Sequence, residues 1–434
     1  MPTTDSPASN TLSQAQRWIY MLGLIVAAEA VFALPFHLAR YFRPTLMEAF
    51  NISATELGAA QGMYGIFAML SYFPGGPLAD RFSARKLMAM SLWSTAAGGL
   101  YMATFPGYAG AVLIWAFFGV TTILLFWAAL IKATRDWGGS HTQGRAYGLL
   151  DGGRGLVAAL LASVGVLIFA VAFPDGYDAA SGPERAAALR SVIYGYVGFT
   201  ALTGVFIWFA LPEQPHSLIS GSQQSWTGVA RNLKMVMAIP AVWLQALIVI
   251  CAYVGFKGVE NYSLFAVEVY GIDEVRAAEI IALSAWMRPI AALGAGLLAD
   301  RFDPGRMLLL SFVMLLLCYM AFAFTTPGAV EVLIANVLLS CIAIFALRGL
   351  YFAVFEQARV PLAVTGSAVG LVSMIGYTPD IFVTFVAGLL IDTYPGGPGH
   401  QYFFFFLMAF TAVGAAASMA FLRLTRQPLA NAPA

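Results

Sequence analysis

Twelve long apolar segments divide this sequence, and they constrain its fold more than any other feature. Each holds about 20 or more mostly uncharged residues, the length an α-helix needs to cross the hydrocarbon core of a bilayer. Six precede a polar stretch and six follow it. They lie at 18–41, 56–78, 87–105, 108–134, 145–172, 190–211, 241–268, 277–299, 307–325, 330–357, 363–391 and 402–423. The pattern predicts an all-α membrane protein with twelve transmembrane helices in two six-helix bundles.

The polar stretches give the predicted domain boundaries. We expect a cytoplasmic tail at 1–16, an N-terminal bundle at 17–211, a linker at 212–240, a C-terminal bundle at 241–424 and a second tail at 425–434. Charged residues make up 10% of the chain, whereas a soluble domain carries about 25%. The surface is therefore expected to face lipid. A net charge of +1 without a basic tract excludes a nucleic-acid partner.

The distribution of basic residues predicts the orientation. With both termini in the cytoplasm, 14 of the 23 Lys and Arg residues lie on the cytoplasmic side and 5 on the outer side. This bias agrees with the positive-inside rule. Short loops and tails favour the inner membrane of a bacterium. The sequence holds no phosphate-binding loop, metal-ligand spacing or Ser/His/Asp arrangement, so we expect no enzymatic activity and no cofactor.

A short motif occurs twice, 220 residues apart. Residues 76–86 read GPLADRFSARK, and residues 296–306 read GLLADRFDPGR. Each copy follows the second apolar segment of its half. Internal repeats of this kind are typical of secondary transporters built from two halves.

The first copy is similar to the signature loop of the major facilitator superfamily. The resemblance covers essentially the whole chain and implies the two-bundle major facilitator fold with pseudo-symmetric halves. It also implies a cytoplasmic gate formed by charged residues of the two loops. Gly305 stands where the first copy has an arginine, so we expect the second half of the gate to be weaker. The gate residues implied are Asp80, Arg81, Arg85, Asp300 and Arg301.

Ionisable residues inside apolar segments are costly in a membrane and are functional candidates by default. Asp151 with Arg154, and Lys257 with Glu260, have a spacing of three residues and can neutralise each other on one helix face. Two cations and two acids remain, so the charges balance and do not by themselves establish an anionic substrate. The remaining four are Glu29, Arg288, Arg348 and Asp380.

Arg288 lies in the sequence Trp286-Met287-Arg288-Pro289. This stretch resembles the eighth span of oxalate–formate antiporters and monocarboxylate transporters, which implies that Arg288 binds a substrate carboxylate. A guanidinium matches a carboxylate with two parallel hydrogen bonds. A structural ion pair is the alternative. Monocarboxylate transporters carry an aspartate four residues earlier, where this chain has Ser284, so the resemblance does not extend to an Asp/Arg pair.

Two other segments add candidates. The seventh, around Lys257 and Glu260, is loosely similar to that of organophosphate antiporters, which carry a cation and an acid there. Their first-span arginine has no clear counterpart here. In the eleventh segment Pro379 frees a backbone carbonyl next to Tyr377 and Asp380, a break that favours cavity lining. Trp127 in the fourth segment is a further aromatic candidate.

These features predict a secondary transporter that moves a small organic anion, with a carboxylate preferred, by alternating access, with protons or a counter-anion as the coupled species. We expect a multi-pass protein that works as a monomer in the lipid bilayer. Two alternatives stay open: an exporter of lipophilic or cationic compounds, and a transporter-like membrane sensor. The substrate-binding candidates are Arg288, Lys257, Arg348, Arg154, Tyr377 and Trp127. The proton-coupling candidates are Glu29, Glu260, Asp380 and Asp151.

Overall fold

The structure is a computed structural model that describes residues 13–138, 143–213, 226–291, 294, 303–324, 328–351 and 365–426. Within these ranges the regular structure is helical throughout. The helices of the N-terminal half are α1 Gln14–Tyr41, α2 Arg43–Phe50, α3 Ala54–Arg81, α4 Ala84–Met102, α5 Gly107–Gly138, α6 Gln143–Val171 and α7 Gly182–Ala210.

The C-terminal half repeats this succession after the amphipathic helix α8, Trp226–Met237. Its helices are α9 Pro240–Tyr270, α10 Glu274–Ala285, α11 Pro304–Phe324, α12 Val330–Leu350, α13 Thr365–Gly376, α14 Pro379–Thr393 and α15 Gly397–Arg426. After a turn at Trp286, helix resumes at 287–291. Nine helical stretches of the described residues are long and apolar enough to cross a membrane. This all-helical architecture confirms the predicted all-α fold class and agrees with the two repeated halves.

Polar residues just outside the apolar segments start the helices. Ser13 and Gln16 form a reciprocal capping box at the start of α1, and Ser53 and Glu56 form another at the start of α3. Each box satisfies backbone N–H groups that a helix leaves without partners at its first turn. Asn51 adopts a left-handed conformation with φ of 52° and ends α2. Local sequence therefore sets where these helices begin and end.

Several helices are irregular where they approach the centre of the molecule. A π-helical turn that contains Pro35 interrupts α1 at Ala33–His37, and another interrupts α5 at Ile123–Trp127. A 3-10 turn interrupts α9 at Val259–Asn261. The eleventh segment breaks between α13 and α14, at the position where Pro379 predicted a bend. Such irregular turns redirect side chains and often mark functional positions.

The two halves meet through equivalent helices. The second span of the N-terminal half, α3, packs along α14, which belongs to the fifth span of the C-terminal half. Reciprocally, the fifth span of the N-terminal half, α6, packs along α10, which belongs to the second span of the C-terminal half. Glycine permits the closest approach: a Cβ at Gly62 would lie 2.6 Å from the carbonyl oxygen of Ile381. Small residues let helix backbones approach each other in this way. The reciprocal pairing follows from the internal repeat.

One end of this interface is shut by hydrogen bonds between the halves, and we call it the closed end. The Thr45 amide and hydroxyl donate to Glu274 at the start of α10. The Thr55 amide donates to the Asp392 carboxylate at 2.7 Å, near the end of α14. Backbone N–H groups at the start of α3 therefore find their acceptor in the opposite half.

The halves separate toward the opposite end, where α1 begins and α15 ends, and which we call the terminal end. A Cβ at Gly155 on α6 would lie 3.3 Å from both the Arg288 side chain and the Pro289 nitrogen. Gly152 and Gly148 lie on the same face of α6, one and two turns closer to the terminal end. A Cβ added at either glycine would have no atom of the described chain within 4 Å. The side chain of Asp151 beside them is 60% exposed. Between the described parts of the two halves, a gap therefore leads from the centre toward the terminal end.

Candidate functional site

A cavity of about 120 Å³ lies between the halves. Its walls come from the first, second, fourth and fifth spans of each half, so both halves contribute equivalent helices. All six residues predicted to bind substrate line it, together with two of the four predicted proton-coupling acids. These eight residues are Arg288, Lys257, Arg348, Arg154, Tyr377, Trp127, Glu29 and Asp380. The structure thus brings side chains from distant parts of the sequence to one central site.

Arg348, on α12, stands apart from the other cations of the cavity. Among the described residues, no carboxylate lies within 4.0 Å of its guanidinium. The guanidinium carbon instead lies 4.0 Å from the centroid of the Phe256 ring and 5.6 Å from the centroid of the Tyr253 ring. Its Nη1 is buried without a hydrogen-bond partner. Aromatic faces attract a guanidinium without neutralising its charge, so Arg348 keeps a donor and a full charge for another group.

Glu29, near the middle of α1, is the centre of a first ion cluster. Arg154 Nε lies 3.5 Å from its carboxylate, Arg288 Nη1 lies 3.3 Å away and His37 Nε2 lies 3.5 Å away. Arg288 also contacts Asp151 at 3.5 Å. Asp151 therefore forms its ion pair with Arg288 of the opposite half. The predicted ion pair between Asp151 and Arg154 is wrong, because Arg154 contacts Glu29 instead. The Glu29 cluster connects α1 and α6 to the polypeptide after α10.

Lys257, on α9, is the centre of a second ion cluster. Its Nζ contacts Glu260 at 2.6 Å, which is the pairing that the three-residue spacing predicted. The same nitrogen lies 3.2 Å from Asp380, at the break between α13 and α14. The Tyr253 hydroxyl donates to the other oxygen of Asp380 at 3.0 Å. A buried cation is thus shared by two carboxylates, which limits the desolvation penalty of all three groups.

Glu260 extends this second cluster across the interface. Arg40 of α1 lies 3.7 Å from its carboxylate, and the Gln61 side-chain amide on α3 donates to it at 3.0 Å. Gln61 in turn accepts from Arg43 at 3.2 Å. Glu260 is fully buried and lies behind Lys257, away from the cavity lining. Its position is that of a connector between the halves.

Aromatic rings fill much of the remaining cavity wall. The ring centroids of Trp127 and Phe32 lie 5.8 and 5.7 Å from the guanidinium carbon of Arg154. Tyr377 packs against Tyr253 with ring centroids 4.9 Å apart. Aromatic rings around the charged groups lower the local polarity, which strengthens electrostatic interactions within the site.

The predicted gate residues of the first loop, Asp80, Arg81 and Arg85, lie at the terminal end. Arg85 contacts Glu213, just after α7, at 2.6 Å, and Lys86 contacts it at 2.7 Å. These hydrogen bonds and charges hold the pKa of Glu213 below its ordinary value. Asp80 and Arg81 are exposed. The Arg85 contact thus stays within the N-terminal half. The predicted gate residues Asp300 and Arg301 lie outside the described residues.

Sequence reasoning missed Glu274 at the closed end. Besides Thr45, the Tyr177 hydroxyl donates to it at 2.7 Å. Burial raises the pKa of Glu274 to about 7, against the opposing effect of these hydrogen bonds. The residue precedes the predicted span at 277–299 and resembled an ordinary loop acid.

The contact between α3 and α14 was also missed. The spacing of the small residues Gly58, Gly62 and Gly65 was a usable sequence signal for it.

The chemistry of the site is that of recognition and charge pairing. In the part of the chain that the structure describes, no group of three or more His, Cys, Asp or Glu side chains is placed to hold a metal ion. The three cysteines Cys251, Cys318 and Cys341 are buried and free. Two helical halves surround a charged central cavity, and their described parts are tight at one end and separated toward the other. This arrangement defines the class of polytopic membrane proteins with a transporter fold.

Comparison with known proteins identifies the family. A model of the Major Facilitator Superfamily matches residues 21–384, and the chain belongs to this superfamily. It is a multi-pass membrane protein with the superfamily's fold, as the repeated loop implied.

Relatives and solved structures agree with this assignment. The inner membrane protein YqcE of Escherichia coli (strain K12) is 28% identical over 414 residues, covering 94% of each chain. The inner membrane protein YihN of the same organism is 24% identical over 422 residues, covering 95% of this chain and 97% of its own. A bacterial homolog of the human lysosomal transporter Spinster, crystallised in an inward-facing and occupied conformation, superposes with a TM-score of 0.75 at 15% identity. That match covers 96% of this chain and 100% of the homolog.

Proposed function

We propose that this protein is a secondary transporter that moves a small organic anion across the inner membrane of a bacterium by alternating access. The observation that carries the proposal is Arg348. It lines the central cavity with an unpartnered donor and, among the described residues, without a carboxylate within 4.0 Å. A buried cation without a counter-ion is expensive, and an anionic substrate supplies the missing partner. A carboxylate is the preferred group because it accepts two parallel hydrogen bonds from a guanidinium.

Arg348 replaces Arg288 as the principal anion ligand in this proposal. Arg288 already contacts Glu29 and Asp151, so an anion there must compete with two carboxylates. Its role is that of a bridge between the halves. Arg154 and Lys257 are likewise paired and complete the positive side of the cavity, and Tyr377 and Trp127 complete its aromatic walls.

The conformation supports alternating access. The halves are joined by hydrogen bonds at the closed end and separate toward the terminal end. With the orientation that the basic residues predict, the cavity opens to the cytoplasm and the conformation is inward-facing. Transport then requires the contacts at the closed end to break while the terminal end closes, as in other transporters built from two repeats. We assign that second closure to the charged loop containing Asp80, Arg81 and Arg85, together with Asp300 and Arg301 of the repeated loop.

Coupling to protons or exchange for a second anion completes the proposal. Glu29, Glu260, Asp380 and Asp151 are the candidate acids for a coupled proton. The first three are buried and paired with cations, so a change in those pairs on substrate binding is the event that would alter their protonation. Both bundles belong to one chain and form a complete cavity, which supports a monomer as the working unit.

A thermal-shift screen of the purified protein tests the anion site. The panel contains monocarboxylates, dicarboxylates, sulfonates, phosphate esters, nitrate, neutral sugars and lipophilic cations. We expect stabilisation by a carboxylate at saturating concentration, worth about 2.7 kcal/mol at 100 times its dissociation constant. The effect should be lost in Arg348→Gln and reduced in Arg348→Lys, which keeps the charge but loses the planar fork.

The matched control is Arg423→Gln, near the end of α15 and away from the cavity, which should respond like the parent. Stabilisation by neutral sugars or lipophilic cations alone would contradict the proposal and favour an exporter of such compounds. So would carboxylate stabilisation that persists undiminished in Arg348→Gln.

A further inference from the structure

The cations that line the cavity, taken together with the carboxylates that contact them, form two balanced clusters and one surplus charge. In the Glu29 cluster, Arg154 and Arg288 face the two carboxylates of Glu29 and Asp151. Counting the imidazole of His37 as neutral, this cluster carries no net charge.

The Lys257 cluster is balanced in the same way. Lys257 and Arg40 face the carboxylates of Glu260 and Asp380. Arg43 lies outside the cavity lining and is bonded to Gln61. The remaining titratable groups in the lining are the phenols of Tyr64, Tyr72, Tyr253 and Tyr377.

Five cations line the described cavity, and all except Arg348 contact at least one of four carboxylates, two of which, Glu260 and Asp151, lie outside the lining. Arg348 is therefore the surplus charge of this set of lining cations and contacting carboxylates. Its guanidinium lies over Phe256 and Tyr253, which hold it in place without neutralising it. One added negative charge makes this set of lining cations and contacting carboxylates neutral. A second would remain uncompensated in a largely buried, aromatic-walled space, where an unpaired charge is strongly disfavoured.

We propose that the cavity selects substrates by charge and binds an organic monoanion in preference to the dianion of the same size. This inference rests on the proposed function, since it takes Arg348 as the anion ligand, and it narrows the substrate class to molecules with a single negative charge. A dianion enters only when a proton accompanies it, either on the ligand or on a cavity carboxyl such as Glu29 or Asp380. Monoanion binding needs no such proton.

Matched ligand pairs test the inference by isothermal titration calorimetry on the full-length protein. Each pair shares a carbon skeleton: ethanesulfonate with ethyl phosphate, 2-hydroxyethanesulfonate with 2-hydroxyethyl phosphate, and phenylmethanesulfonate with benzyl phosphate. A sulfonate stays a monoanion, whereas a phosphate monoester becomes a dianion above its second pKa of about 6. The ratio of the two affinities at one pH cancels the titration of the protein itself.

We expect the preference for sulfonate over phosphate to rise about a hundredfold between about pH 5 and about pH 8, following the loss of the phosphate monoanion. A ratio that stays flat or falls while both ligands bind would overturn the inference and leave the anion site intact. Failure of every pair and every carboxylate to bind, or binding unaffected in Arg348→Gln, would instead overturn the proposed function, and the inference with it.

A charge variant gives an independent check. Glu29→Gln removes one negative charge from the lining, so the surplus becomes two and the dianion should gain affinity relative to the sulfonate by about tenfold at about pH 8. Asp380→Asn should act in the same direction if the first variant does not fold. Glu331→Gln, an exposed acid at the start of α12, is the matched control and should leave the ratio unchanged. An unchanged ratio in folded Glu29→Gln and Asp380→Asn would contradict selection by charge.

Discussion

At the scale of single residues, the partner of each charge determines its role. Arg288 and Arg348 look alike in the sequence, since both are arginines inside apolar segments. In the fold Arg288 bridges two carboxylates, while Arg348 lies against aromatic rings with a free donor. We therefore propose that the first arginine serves the contact between the halves and that the second binds the ligand.

Glu274 gives a pH dependence at the closed end. Burial raises the pKa of Glu274 from its ordinary value near 4.5 to about 7 in this conformation. We expect the pKa to return to its ordinary value when this end opens and Glu274 is hydrated. The closed form therefore holds a proton between these two values that the open form has released. The contribution of Glu274 to the stability of the closed form is therefore fully present below about pH 4.5. It is lost as the pH rises through about 7.

We expect the population closed at this end to fall by about tenfold or more relative to the open form between about pH 5 and about pH 8. Spin labels on Ala187→Cys and Tyr394→Cys, exposed residues of opposite halves near the closed end, measure it as a distance distribution. Glu274→Gln should flatten the pH dependence, and Glu279→Gln on the same helix should not. An equally steep dependence in Glu274→Gln would refute the assignment.

At the scale of elements, breaks and close approaches shape the site. The irregular turns in α1, α5 and α9 and the break before α14 lie at or next to cavity residues. The glycine face of α3 brings Asp380 close, because a Cβ at Gly65 would lie 2.7 Å from the carbonyl carbon of Asp380. Helix packing at the closed end and the position of a cavity acid are therefore coupled.

Gly62→Ala should weaken the closed end. The added Cβ would lie 2.6 Å from the Ile381 backbone oxygen, and backbone cannot move aside as a side-chain end can. We expect the α3–α14 contact to loosen by about 1–3 kcal/mol, and the spin-label distance at the closed end to shift toward the open form at fixed pH.

Gly198→Ala on α7 is the control, since no described atom lies within 4 Å of its added Cβ. It should leave the distance distribution as in the parent. A distribution that is also unchanged in Gly62→Ala would show that the α3–α14 contact does not hold this end shut.

At the scale of the whole molecule, the sequence predicted the architecture well because its determinants are local. Segment length, the cost of charges in lipid and the repeated loop each act within a few dozen residues. Residues lining the cavity were also found, because charges in apolar segments are conspicuous. Their pairing was not, because Asp151 had a neighbour three residues away, Arg154, and yet contacts Arg288 across the interface. Contacts between distant segments depend on packing that a linear pattern does not specify.

Counterflow in proteoliposomes tests the central claim most directly. Vesicles are loaded with an unlabelled monocarboxylate that stabilises the purified protein and are diluted into the labelled compound. We expect transient accumulation of label that is absent with Arg348→Gln and retained with Arg423→Gln. Binding without counterflow would identify a sensor instead of a carrier, and full counterflow with Arg348→Gln would contradict the role given to the central arginine.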